Sequence, residues 1–220
     1  MGWGDLTKLT ADTASERSGT NPYLVLILAI LGISFGSLFA KLSDAPSLII
    51  AVYRNLFAAV LLAPFALTSA REELISISKR DILLTLAGGI FLALHFATWL
   101  TSLKYTSVAS STVLVTMQPI FVVIGSYLFL KEGISLRSAA SGLLALAGSI
   151  LIGLSDFTIG GQALWGDFLA LSGAIFIAVY VLIGRSLRQR FSLIAYTFIV
   201  YGTCSIVLVI MAAALKIPML

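Results

Sequence analysis

Apolar and polar positions in this chain do not alternate; they separate into long blocks. Residues 18–40, 82–103, 105–130 and 191–215 contain no Asp, Glu, Lys or Arg, and neither do 138–155 and 168–184. Residues 45–70 carry a single charge, Arg54. A helix needs about 20 apolar residues to cross roughly 30 Å of hydrocarbon, so each block reads as a membrane span. In lipid the backbone must be paired within a helix or a closed barrel, and barrel strands alternate over only about ten residues. These blocks are continuous and longer, so the pattern predicts seven helices at about 23–41, 47–69, 81–104, 107–130, 135–155, 164–185 and 192–215. Short connections with helix breakers separate them, as in Ser43-Asp44-Ala45-Pro46, Lys131-Glu132-Gly133 and Gly160-Gly161. The expected fold class is an all-α polytopic transmembrane bundle.

Composition supports this reading. Hydrophobic residues make up 59% and charged residues 11% of the chain, against about 25% charged in a soluble domain. The net charge of +4 does not point to nucleic acid, because the basic residues lie in the connections, where they orient a chain in the bilayer. With the N-terminus taken as cytoplasmic, Lys8, Arg17, Arg71, Lys79, Arg80, Lys131, Arg137, Arg185, Arg188 and Arg190 fall inside, and only Lys41, Lys104 and Lys216 outside, ten against three with Arg54 set apart. The first 17 residues are polar and mixed in charge. They lack the layout of a cleaved signal peptide, so the first span is expected to act as an uncleaved anchor. The single cysteine, Cys204, excludes an internal disulfide and a multi-cysteine metal site.

An internal echo is present. Ala29, Gly32 and Phe35 recur as Ala170, Gly173 and Phe176, 141 residues on. Phe39 is answered by Tyr180, and Ser47-Leu48-Ile49 by Ser192-Leu193-Ile194. Five helices separate the copies, and an odd number inverts the second in the membrane, the arrangement of transporters with inverted repeats.

The stretches Ser47-Leu48-Ile49-Ile50-Ala51-Val52-Tyr53-Arg54-Asn55 and Leu103-Lys104-Tyr105-Thr106-Ser107-Val108-Ala109-Ser110-Ser111 resemble EamA-type transporters of the drug/metabolite transporter superfamily. So do Pro119 followed by Leu130-Lys131-Glu132-Gly133, and the glycine-rich run from Gly142 to Gly153. The resemblance covers about residues 23–216. It implies two five-helix halves and movement of substrate by alternating access. On that pattern residues 1–22 are a polar tail, 23–155 a complete five-helix repeat, 156–163 an extracytoplasmic linker, and 164–220 the first two helices of an inverted second repeat. The chain stops at Pro218-Met219-Leu220, just past the seventh helix. It is therefore expected to be a fragment or to work with a partner, either a missing half or a second copy.

Several polar residues within the spans are candidates for a substrate site. Arg54 lies seven residues into its helix, about 10 Å deep at 1.5 Å per residue. A cation at such depth costs energy that a partner or a polar cavity must offset. It can pair with a carboxylate or phosphate on a solute, or snorkel to the headgroups. His95, the one histidine, shares a helix face with Trp99. The pair can line a cavity, or His95 can bond a neighbouring helix. Gln118-Pro119 lies near the middle of the fourth span, where proline frees a carbonyl; the Gln118 amide could satisfy it or contact a ligand as part of a site wall, or the break could be a kink that serves packing. Tyr53, Asn55, Tyr180 and Tyr201 could line the same cavity. The other acidic residues fall in connections, so no carboxylate proton carrier is expected within the spans. With one histidine and one cysteine, no metal or other cofactor is expected. Gly32-Ile33-Ser34-Phe35-Gly36 matches G-x-S-x-G only formally, since that motif needs a strand-to-helix turn and an acid–histidine pair. It reads better as a small-residue packing ridge, as do Ser141, Ala145, Ser149 and Gly153.

The sequence therefore predicts a secondary transporter of a small organic solute, by export or exchange, in the cell's inner membrane. It predicts no enzyme. The second reading is a non-transporting membrane scaffold, or one half of a larger assembly.

Overall fold

The computed structural model describes residues 22–131, 133, 136–157 and 161–218. The tail bearing Lys8 and Arg17, Glu132, the middle of the expected linker and the last two residues lie outside these, as do the side chains of Lys41 and Arg137. The described helices are α1 (Pro22–Leu42), α2 (Ser47–Ser69), α3 (Arg71–Ser76), α4 (Lys79–Tyr105), α5 (Val108–Val115), α6 (Gln118–Leu130), α7 (Leu136–Phe157), α8 (Gly161–Leu187) and α9 (Leu193–Ala214). The chain divides into two compact units, residues 1–39 and 40–220. In the first, α1 is apolar, and Phe35 stacks on Phe39 with ring centroids 5.9 Å apart.

Among the described residues, α2, α4, α5 with α6, α8 and α9 are each long and apolar enough to cross a membrane. The chain is thus a multi-pass membrane protein of all-α fold. Serine hydroxyls start three helices. Ser78, Ser107 and Ser192 accept the backbone N–H groups of Asp81, Ser110 and Ala195 and so satisfy donors that the helix itself leaves open. Lys131 ends α6 in the left-handed conformation, with φ 55°.

Within the second unit α4 and α8 share the most extensive contact, α9 packs across α2 and α4, and α5 and α6 lie against α8. Leu92, Phe96, Leu100 and Leu103 of α4 meet Val52 of α2 and Val200, Cys204 and Leu208 of α9 in the main core. The opposite faces remain apolar and exposed, as at Phe57, Leu61 and Phe65 on α2 and Ile206 and Ile210 on α9. Large apolar side chains turned outward all along a span suit hydrocarbon as the solvent.

Three features depart from the sequence reading. The fourth span is two helices, broken at Thr116–Met117, so that Gln118 and Pro119 open α6. Proline belongs at a first turn, where its missing N–H costs nothing. A short helix, α3, follows α2. Finally, α8 begins at Gly161, which places Asp167 in its second turn, where it is buried; this carboxylate is inside a helix and not in a connection.

Helices in lipid associate through close packing, and small residues permit it. A methyl added at Gly89 of α4 would fall 2.5 Å from Thr203 Cβ and 2.9 Å from the Val200 carbonyl oxygen of α9. The carbonyl cannot rotate away. Gly89→Ala should gain about 1 kcal/mol from helix propensity but lose about 1–3 kcal/mol to overpacking. A lower unfolding midpoint in detergent is the expected result. Gly202→Ala on α9, where nothing lies within 4 Å, should leave that midpoint unchanged or slightly raised.

Candidate functional site

The candidate site begins with the face that α4 turns toward α2 and α8. His95, Phe96 and Trp99 are all buried there. His95 stacks on Trp99 with centroids 5.6 Å apart and planes 18° from parallel, and Phe96 lies 6.3 Å from Trp99. His95 Nδ1 is 2.9 Å from the carbonyl oxygen of Gly173 on α8. A carbonyl only accepts, so Nδ1 carries the hydrogen and donates. Gly173 allows the approach: a Cβ there would meet Thr98 Oγ1 at 3.1 Å and Trp99 Cβ at 3.4 Å. The histidine therefore fastens α4 to α8, which was one of its two expected roles.

Arg54 of α2 lies over this aromatic face. Its guanidinium carbon is 5.1 Å from the Phe96 ring centroid and 5.9 Å from that of Trp99. Such contacts contribute about 0.5–1 kcal/mol when exposed and 2 or more when desolvated. No described carboxylate pairs with Arg54, and its side chain remains exposed. Within the described helices no other Lys or Arg lies so far from both ends of its helix. Tyr201 of α9 is within electrostatic reach. Trp99 Nε1 is buried and has no hydrogen-bond acceptor. Two strong donors, a guanidinium and an indole N–H, thus belong to neighbouring side chains, and neither has an acceptor among the described residues.

The structure does not gather all six candidates. Arg54, His95 and Trp99 converge. Tyr180 of α8 instead stacks on Tyr196 of α9 at 6.1 Å. Tyr53 stacks along its own helix on Phe57 at 5.9 Å. Asn55 is buried, and its amide donates to the Ala51 carbonyl one turn back at 2.9 Å, so it serves α2 itself. Gln118 is half-buried at the start of α6. At the break, Thr116 Oγ1 donates to the Val113 carbonyl at 2.8 Å, because the Met117 N–H turns instead to the Leu114 carbonyl. The ridge residues Ser141 and Ala145 of α7 face α6 across an apolar cavity of about 660 Å³. Phe96 is the member that the sequence reading missed. It follows His95 directly, but only the register between α2 and α4 shows that Arg54 lies over it.

At one end of the unit the chain holds its connections together by charge. Arg190 reaches Asp81 at 3.3 Å, and Ser78 Oγ donates to the other Asp81 oxygen at 2.8 Å. The Ser192 N–H donates to Glu73 of α3 at 2.7 Å. At the other end, Lys104 donates to the Ala45 carbonyl at 3.1 Å. Alternate connections therefore meet at opposite ends, as expected of a chain that threads back and forth.

This threaded bundle, with a cation held inside a span, is the architecture of a polytopic membrane protein. Residues 20–154 match the EamA-like transporter family, and the chain belongs to that family. It is also similar to the uncharacterized transporter YxxF of Bacillus subtilis (strain 168), with 28% identity over 193 residues. That match covers 84% of this chain and 60% of the relative, so the chain spans less than two thirds of the relative's length. No solved structure matches the chain.

The His95 fastening can be measured. His95→Phe keeps a ring in the stack and removes the bond to Gly173, at an expected cost of about 0.5–2 kcal/mol. This should appear as a lower thermal midpoint in detergent. Thr98→Val, which loses only bonds to Leu94 and His95 of its own helix, should have a smaller effect.

Proposed function

We propose that this protein moves a small organic solute bearing an acceptor-rich group, a carboxylate or phosphate, across the cell's inner membrane by alternating access. The observation that carries this reading is the pairing of Arg54 with Trp99. Both are donors inside the membrane, they are neighbours, and no described carboxylate pairs with the guanidinium. The buried indole N–H of Trp99, left unmatched, costs about 1–3 kcal/mol, and an anionic solute would remove that cost. Arg54 would bind the anion with its forked guanidinium, Trp99 would donate one further bond, and Phe96 would hold the arginine in place.

The location supports movement as well as binding. Arg54, Phe96 and Trp99 belong to the first repeat, whereas Gly173 and Tyr201 belong to the expected second one. A solute held here contacts the boundary between the two, where rocking of one against the other would open each side in turn. His95, on this reading, positions Trp99 and does not touch the solute. Gln118, Tyr53 and Tyr180 are kept as lining residues of the wider path. The N-terminus is taken as cytoplasmic, because the Lys and Arg counts favour it. Export or exchange is the preferred direction, and no catalytic role is assigned.

The test is uptake into proteoliposomes of radiolabelled small carboxylates and organophosphates, with membrane insertion followed separately by cysteine labelling. Arg54→Ala should abolish uptake of whichever solute the wild type carries while insertion stays normal. Arg54→Lys, which keeps the charge but loses the fork, should retain only a small fraction. Wild-type flux in Arg54→Ala would remove Arg54 from the site. No flux by the wild type with any solute would favour the alternative, a non-transporting scaffold or a half that needs a partner chain.

A further inference from the structure

The last turn of α8 and the connection to α9 hold three arginine side chains close in sequence, Arg185, Arg188 and Arg190, and they are not equivalent. The two carboxylates described beside this connection are both engaged. Asp81 binds Arg190 and Ser78, and Glu73 accepts the Ser192 N–H. Arg185 reaches Ser126 Oγ at 3.3 Å. Arg188 forms no ion pair with any described residue.

Arg188 lines a cavity of about 400 Å³ with Tyr180, Gly184, Arg185, Gln189 and Tyr196. That volume lies within the range of small-molecule pockets, roughly 300–1,000 Å³. No described residue of its lining is acidic. One wall is the stacked Tyr180–Tyr196 pair. Tyr196 is only 3% exposed, and its hydroxyl has no hydrogen-bond partner. The hollow thus joins an unpaired guanidinium, a second one, an amide and an apolar aromatic wall at the point where α8 leaves the membrane. A cation beside a weakly hydrated wall interacts more strongly with an anion than one in open water.

We propose that this hollow is a binding site for a phosphate group. Arg188 supplies the principal bidentate contact, Gln189 an amide donor, and the Tyr180 ring, backed by Tyr196, a surface for the apolar part of the ligand. The phosphate can belong to the headgroup of an anionic phospholipid or to a free phosphorylated solute, since the chemistry is shared. The site is distinct from that of Arg54, and its test reads equilibrium binding without flux, so failure of either proposal leaves the other standing.

The experiment uses the whole chain in two settings. In phosphatidylcholine nanodiscs, glycerol phosphate is titrated and the thermal midpoint followed. In nanodiscs containing phosphatidylglycerol, with phosphate-free buffer, lipid retained through purification is measured by native mass spectrometry. Saturable binding is expected in at least one setting; the first would assign a soluble phosphate and the second a lipid headgroup. Arg188→Gln should weaken that binding about tenfold or more, because a charge-assisted contact is lost. Arg188→Lys should retain part of it, and Lys216→Gln, an equal loss of charge elsewhere, should leave it unchanged. Absence of binding in both settings, or equal weakening by Arg188→Gln and Lys216→Gln, would overturn the site.

Discussion

Lipid tails are as apolar as leucine, so helices within them are held together by close contact and by the few polar bonds that cross between them. Here that requirement is met most fully where α4 crosses α8. Gly173 lets the two backbones approach, and the His95 ring donates to the carbonyl this exposes. The bond fixes the orientation of His95. The stack then fixes Trp99, and Phe96 packs beside it. Arg54 on α2 finds a prepared aromatic surface at a depth where a cation is costly. Removing one glycine–histidine contact would therefore disturb a chain of side chains that ends on a different helix.

A contrast in how charge is compensated runs through the second unit. Where α3 and α4 meet the connection before α9, Asp81 and Glu73 each have a donor, and the elements are bound into one end. Inside the spans, Arg54 has rings in place of an acid. Aromatic faces stabilise a guanidinium without occupying its N–H groups, which lie in its own plane. An acid would have neutralised it. The same residue type is thus held for structure at Arg190 and left available at Arg54.

Much of the fold was legible in the sequence, because hydrocarbon imposes a simple rule: a span must be long, apolar and helical. The blocks between Asp44, Arg71, Lys104, Lys131 and Arg185 marked the spans well. The break at Thr116–Met117 was only half visible. Pro119 announced an interruption, but proline sits most easily in a first turn, so the helix restarts at Gln118 and not at the proline itself. Asp167 was counted with the connections because it is charged, although the span expected at 164–185 already contained it; α8 starts at Gly161 and buries it. The site was legible in part. Depth alone singled out Arg54, and i, i+4 spacing linked His95 with Trp99. Pairing across helices was not legible, since the rotation of one helix against another is set by contacts between them that periodicity within a single helix does not encode. For that reason Tyr180 was grouped with Arg54, whereas its ring partner is Tyr196.

The hydroxyl end of Tyr196 lies between two glycines, 3.3 Å from where a Cβ would stand on Gly88 and 2.8 Å from one on Gly184. A flat ring of fixed thickness thereby acts as a spacer that gauges the gap between α4 and α8 from a third helix. None of the three positions can change size alone without altering that gap. Among related chains they should drift as a linked set, with any gain of bulk at either glycine matched by a smaller residue where the tyrosine stands.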